Sequence, residues 1–104
     1  MIYGLNNMVI VPGKMAEYGE IIAKEAVPLY PEIGMKLVAS WRGYTGNMNE
    51  NYSLFVFNDL AAYQKAREAQ QKNKDYQKVN AKLNTLRVSQ ISTILEPNAW
   101  SPMK

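Results

Sequence analysis

Residues 35–58 read MKLVASWRGYTGNMNENYSLFVFN, two long strand-like runs joined by a short polar link. In the first run the odd positions give Met35, Leu37, Ala39, Trp41 and Gly43, and the even ones Lys36, Val38, Ser40, Arg42 and Tyr44. In the second, Phe55 and Phe57 point one way and Leu54 and Val56 the other, because successive strand side chains alternate between faces. A sheet with one wet face should alternate apolar with polar. The second run does not, so both of its faces need cover. One helical layer covers one face. The other is expected to meet a second copy of the same sheet.

Outward from this hairpin, each side supplies one strand and one helical region in mirrored order. Residues 2–11, IYGLNNMVIV, form the first strand, stopped by Pro12-Gly13. Asn6 and Asn7 are poor strand formers and suggest a bulge or a polar spot there. Residues 14–30 place Met15, Tyr18, Ile22, Ala26 and Leu29 on one helical face. Pro28 lacks an N–H, which predicts a kink or an end at that point. After the hairpin, Asp59 is placed to cap a helix carrying Leu60, Tyr63, Ala66, Arg67 and Gln70 on one face. Asn73 interrupts it. A further helical run holds Tyr76, Val79, Leu83 and Leu86, and residues 87–95, RVSQISTIL, form the last strand before Pro97. Trp100 in the tail calls for cover of its own.

The 104 residues make one domain, with enough chain to bury roughly two-thirds of its unfolded surface. The order predicts an α+β chain of ferredoxin-like βαββαβ type: a four-stranded antiparallel sheet, helices on one face, crossovers right-handed. With no Cys and no His, thiol chemistry, disulfides and the commonest base and metal ligand are excluded. Nor do the nine acidic residues fall at a metal-binding or dyad spacing, so no metal is expected. No basic leader or run of roughly 20 apolar residues is visible, which gives the expectation of a cytoplasmic protein with no membrane span. A net charge of +3 is too mild for nucleic acid. RNA-recognition domains share the strand order, but their basic-glycine-aromatic signature would fall here on Asn51, Tyr52 and Ser53.

Several features together resemble one family. Ile2-Tyr3 with Leu5, Pro12-Gly13-Lys14 followed by Tyr18, and Pro28-Leu29-Tyr30 are three of them. The others are GMKLVASW over 34–41, GNMNE over 46–50, DLAAYQKAR over 59–67 and ILEP-AWSP near the end. In order and spacing they are similar to the NIPSNAP family, within the dimeric α+β barrel superfamily. The resemblance implies a homodimer with two sheets face to face, and no cofactor. It implies no defined reaction; superfamily relatives include cofactor-free oxygenases and small-lactone isomerases with a cleft between sheet and helices. Gly4-Leu5-Asn6 stands where relatives often carry Glu-Leu-Arg, so two charged groups are lost here.

The residues leave three functions open: a small-molecule binder, a cofactor-independent oxygenase or isomerase, and a non-catalytic interaction module. For the first two, a cleft lined by Tyr3, Tyr30, Trp41, Tyr63 and Arg67 is the candidate site. Arg67 lies on the apolar stripe of its helix, where a guanidinium either snorkels to water or anchors an anion. Trp41, Arg42 and Tyr44 cluster in sequence, but alternation splits Trp41 from Arg42 and favours core and rim roles. For the third, Lys74, Lys78 and Lys82 recur every fourth residue, a spacing that costs roughly 0.2–0.5 kcal/mol per pair and reads as a solvated face or an acidic partner's dock.

Overall fold

The computed structural model describes residues 1–104. Four strands, β1 (Ile2–Ile10), β2 (Lys36–Arg42), β3 (Glu50–Phe57) and β4 (Arg87–Leu95), form one antiparallel sheet in the order β2-β3-β1-β4. Helix α1 (Met15–Ile21) lies between β1 and β2; α2 (Leu60–Lys72) and α3 (Lys74–Asn84) lie between β3 and β4. The fold is the ferredoxin-like α+β arrangement expected from the pattern. No helix is long and apolar enough to cross a membrane.

The first helical region loosens earlier than Pro28 alone predicts. Helix α1 passes into a π-helical turn at Ile22–Ala26 and then a 3₁₀ stretch at Val27–Ile33, where Pro28 and Pro31 cannot donate to an α ladder. Gly34, at φ 75°, ends it, and the Met35 N–H donates to the Tyr30 carbonyl at 2.9 Å. In the second region one residue makes the break. Asn73 ends α2, and its side chain caps α3 by accepting from the Tyr76 N–H at 2.9 Å. Asp59 does the same for α2, accepting from the Ala62 N–H at 2.8 Å.

Register settles which sheet face is which. Phe55 and Phe57 point toward the helices and are buried; directly opposed residues share their face, so Ile2, Gly4, Asn6 and Met8 point the same way. Tyr3, Leu5, Leu54 and Val56 point to the outer face, which carries no helix. The core is a cluster of 13 buried residues between sheet and helices, including Ile10, Tyr18, Tyr30, Ile33 and Leu83, and no charged or polar residue is buried.

Two expectations about strands change. The irregularity in β1 falls at Val9/Ile10 against β4, so Asn6-Asn7 is no bulge but the other expected form, a half-buried polar spot. In β2 the register slips between Leu37 and Ala39, leaving Val38 as an extra residue. That bulge reverses the alternation beyond it. Leu37 sits opposite Phe55 on the helix side, whereas Trp41 sits opposite Tyr52 on the outer face and is 53% exposed. Trp41 is therefore not core. Tyr44 lies in the hairpin link, 89% exposed, and not in a strand. Gly43 is in the link as well, against the backbone of Asn47, and its N–H donates to the Glu50 carbonyl at 3.0 Å.

Candidate functional site

Helices cover β3 and β1 more fully than β4. The helix-side residues Gln90, Ser92 and Ile94 of β4 stay exposed. Between this strand, β1 and the helices lies a cavity of about 110 Å³. Met8, Met35, Phe55 and Phe57 give it an apolar wall. Tyr30 meets Phe55 edge to face at 5.1 Å, and Tyr63 meets Phe57 at 5.3 Å, so both rings are fixed in orientation. A Cβ at Gly4 would sit 3.4 Å from the Phe57 ring, in ordinary van der Waals contact.

The polar lining has a consistent chemistry. It holds amides, hydroxyls, four phenols (Tyr18, Tyr30, Tyr63, Tyr76) and two guanidiniums (Arg67, Arg87), and no carboxylate. Arg67 is exposed at the rim, its Nη1 donating to the Tyr63 hydroxyl one turn earlier at 3.3 Å. Arg87 is half-buried. Its Nε and Nη2 donate to the Tyr18 hydroxyl at 3.4 and 3.3 Å, and its Nη1 donates to Asn80 Oδ1 at 2.9 Å and Asn84 Oδ1 at 3.0 Å. The guanidinium also lies 5.6 Å from the centre of the Tyr18 ring.

Burial raises the Tyr30 phenol well above its ordinary range; the neighbouring Tyr76 and Tyr18 add to this, and Arg87 opposes it. Burial also raises Tyr76, again against Arg87. Both phenols thus stay protonated and serve as neutral donors at ordinary pH. No group of three His, Cys, Asp or Glu side chains is assembled that could hold a metal.

Of the five residues expected to line the cleft, Tyr30, Tyr63 and Arg67 come together in this cavity. Tyr3 and Trp41 do not. Tyr3 alternates to the outer face and borders a separate groove with Leu54, Leu95, Pro97 and Met103 of the tail. Trp41 is turned outward by the Val38 bulge. Arg87, Tyr18 and Tyr76 were missed. One signal was available for Arg87: Asn80 and Asn84 lie one turn apart on α3, three residues before it. The lysine face is partly neutralised, since Lys82 pairs with Glu25 at 2.7 Å.

The NIPSNAP family model matches residues 3–102. A NIPSNAP family protein from Agrobacterium tumefaciens superposes with a TM-score of 0.92 at 21% identity, covering 99% of this chain and 98% of that one. An uncharacterized NIPSNAP domain protein from Burkholderia xenovorans gives 0.90 at 20% identity, covering 98% and 99%. SnoaB, a cofactor-independent oxygenase from Streptomyces nogalater, gives 0.73 at 15% identity, covering 97% and 96%. At these identities the structures show a shared fold. Comparison with curated proteins gives no match.

Proposed function

Since this chain belongs to the NIPSNAP family, with 3–102 matched, we propose that it is a homodimeric binder of a small molecule held between sheet and helices. The carrying observation is the cavity of about 110 Å³, walled by oriented aromatic rings and lined by two arginines with no carboxylate. A cavity that joins an apolar wall to convergent polar groups is a usual form of ligand site. The dimer reading rests on the outer sheet face, where Trp41, Ile91 and Leu95 are exposed beside Leu5, Leu54 and Val56. A second copy would bury that face.

Methionine methyl groups test the ligand site. Met8 and Met35 line the cavity, whereas Met1 and Met48 do not. In ¹³C-methyl spectra, small aromatic compounds such as benzyl alcohol should shift the Met8 and Met35 signals saturably. Shifts confined to Met1, Met48 or Met103 would defeat the reading.

A second reading is cofactor-independent oxygenase. It is favoured by the fold shared with SnoaB and with a putative antibiotic biosynthesis monooxygenase from Bordetella bronchiseptica, at a TM-score of 0.76 and 15% identity. Such a reaction needs a base to deprotonate the substrate, and the cavity offers no carboxylate or histidine. Oxygen uptake on adding an oxidisable enol or phenol would favour it over simple binding.

A further inference from the structure

We propose that the cavity's ligand is a compact carboxylate, received by the hydroxyl proton of Tyr18 beside the uncompensated charge of Arg87. This rests on the cavity being a ligand site and names the chemistry it takes. A guanidinium carries five N–H donors. Four of Arg87's are used: Nε and one Nη2 hydrogen on Tyr18, both Nη1 hydrogens on Asn80 and Asn84. One Nη2 hydrogen remains. Every acceptor around the group is neutral, and the protein's three ion pairs, Lys14–Glu17, Lys24–Glu20 and Lys82–Glu25, leave Arg87 without a counter-ion. A half-buried cation held by neutral oxygens alone is incompletely compensated.

Tyr18 supplies the second donor. Its oxygen accepts two N–H groups, which occupies both lone pairs and turns its own proton away from Arg87. The residue is only 2% exposed, so water does not freely take that proton, and no protein acceptor does. Two open donors thus stand on atoms 3.3 Å apart, one of them charged, beside the cavity that both residues line. The two donors diverge, so a carboxylate takes the Tyr18 proton directly and is held there by the guanidinium charge beside it.

Three further observations narrow the class. The protonated phenols of Tyr30 and Tyr76 place no competing negative charge there. Arg67, tied to Tyr63 at the rim, adds a second positive charge on the approach. Volume sets the size: about 110 Å³ is less than the roughly 150 Å³ of an apolar cavity known to admit benzene. A short chain fits inside, and one ring fits with its edge projecting past the exposed β4 residues Gln90 and Ser92. The apolar wall of Met8, Met35, Phe55 and Phe57 favours an organic anion over inorganic phosphate.

The test is calorimetric titration of the intact protein with benzoate, its neutral isostere benzamide, and inorganic phosphate. Benzoate should bind at least tenfold more tightly than benzamide, and phosphate should bind more weakly than benzoate. Tyr18→Phe, which keeps the ring and its packing, should weaken benzoate about ten- to hundredfold, the range for a hydrogen bond to a charged group, and weaken benzamide, whose carbonyl accepts only a neutral bond, by a smaller factor. A circular dichroism melt verifies that the variant is folded. Benzamide equal to benzoate, phosphate the tightest of the three, or benzoate indifferent to Tyr18→Phe would each overturn the carboxylate assignment while leaving the cavity a ligand site. Failure of benzoate and benzamide alike to bind would defeat both.

Discussion

Replacing Ile91 with Asp separates the outer sheet face from everything else in the molecule. Ile91 sits opposite Asn7 on the side away from the helices and is 62% exposed in a single chain. Full burial of such a side chain is worth roughly 1.5–3 kcal/mol. With 62% of its surface left for a partner, each copy contributes roughly 1–2 kcal/mol to association. A twofold interface holds the residue twice, so the loss is roughly 2–4 kcal/mol, or about thirty- to thousandfold in dimer dissociation constant. A carboxylate makes this a lower bound, because its charge must also be desolvated. Sedimentation equilibrium reads the effect directly. The parent protein should show about twice the 11.8 kDa chain mass, and Ile91→Asp should shift toward the chain mass. Leu60→Gln, at an equally exposed position on α2, should sediment like the parent. An Ile91→Asp protein that is folded and dimerises with the parental constant would refute the role given to this face.

Other expectations follow from single contacts. Asp59→Ala removes the α2 cap and should cost about 1 kcal/mol, lowering Tm by roughly 5 °C in a thermal melt. Gly43→Ala drives a methyl group into the Asn47 carbonyl and should cost about 1–3 kcal/mol, read as a fall in urea midpoint. Tyr30 and Tyr76 have folded values raised above the ordinary 10.0, so the native state keeps protons that the unfolded chain releases. Stability is therefore full below about pH 10 and declines above it, and tyrosinate absorbance should fall short of seven phenolates until the protein unfolds.

Much of the fold was legible because its signals are local. The doubly apolar run LFVF sets Phe55 and Phe57 on one face and Leu54 and Val56 on the other, as alternation alone requires, though only the packed structure shows that the Phe pair meets the helices. Asp59 and Asn73 mark helix boundaries through capping chemistry that depends on one residue and the backbone just after it. The Val38 bulge was not legible. KLVASW contains no Gly, Pro or Asn to announce an extra residue, and one extra residue is enough to move Trp41 to the other face. The cavity lining was legible in part, with Tyr30, Tyr63 and Arg67 expected in it. Tyr63 and Arg67 are one turn apart on α2, a spacing that the sequence displays. Arg87 meets Tyr18 across 69 positions, a contact that depends on the closure of the whole sheet.

A crystal structure of the protein soaked in benzoate tests the central claim most directly, because it shows where the ligand lies as well as whether it binds. The carboxylate should be found within hydrogen-bonding distance of Tyr18 Oη on the side near Arg87, with the ring against the Met8–Phe55–Phe57 wall. Density for benzoate only on the outer sheet face or in the groove beside Tyr3, with the cavity holding water alone, would contradict it.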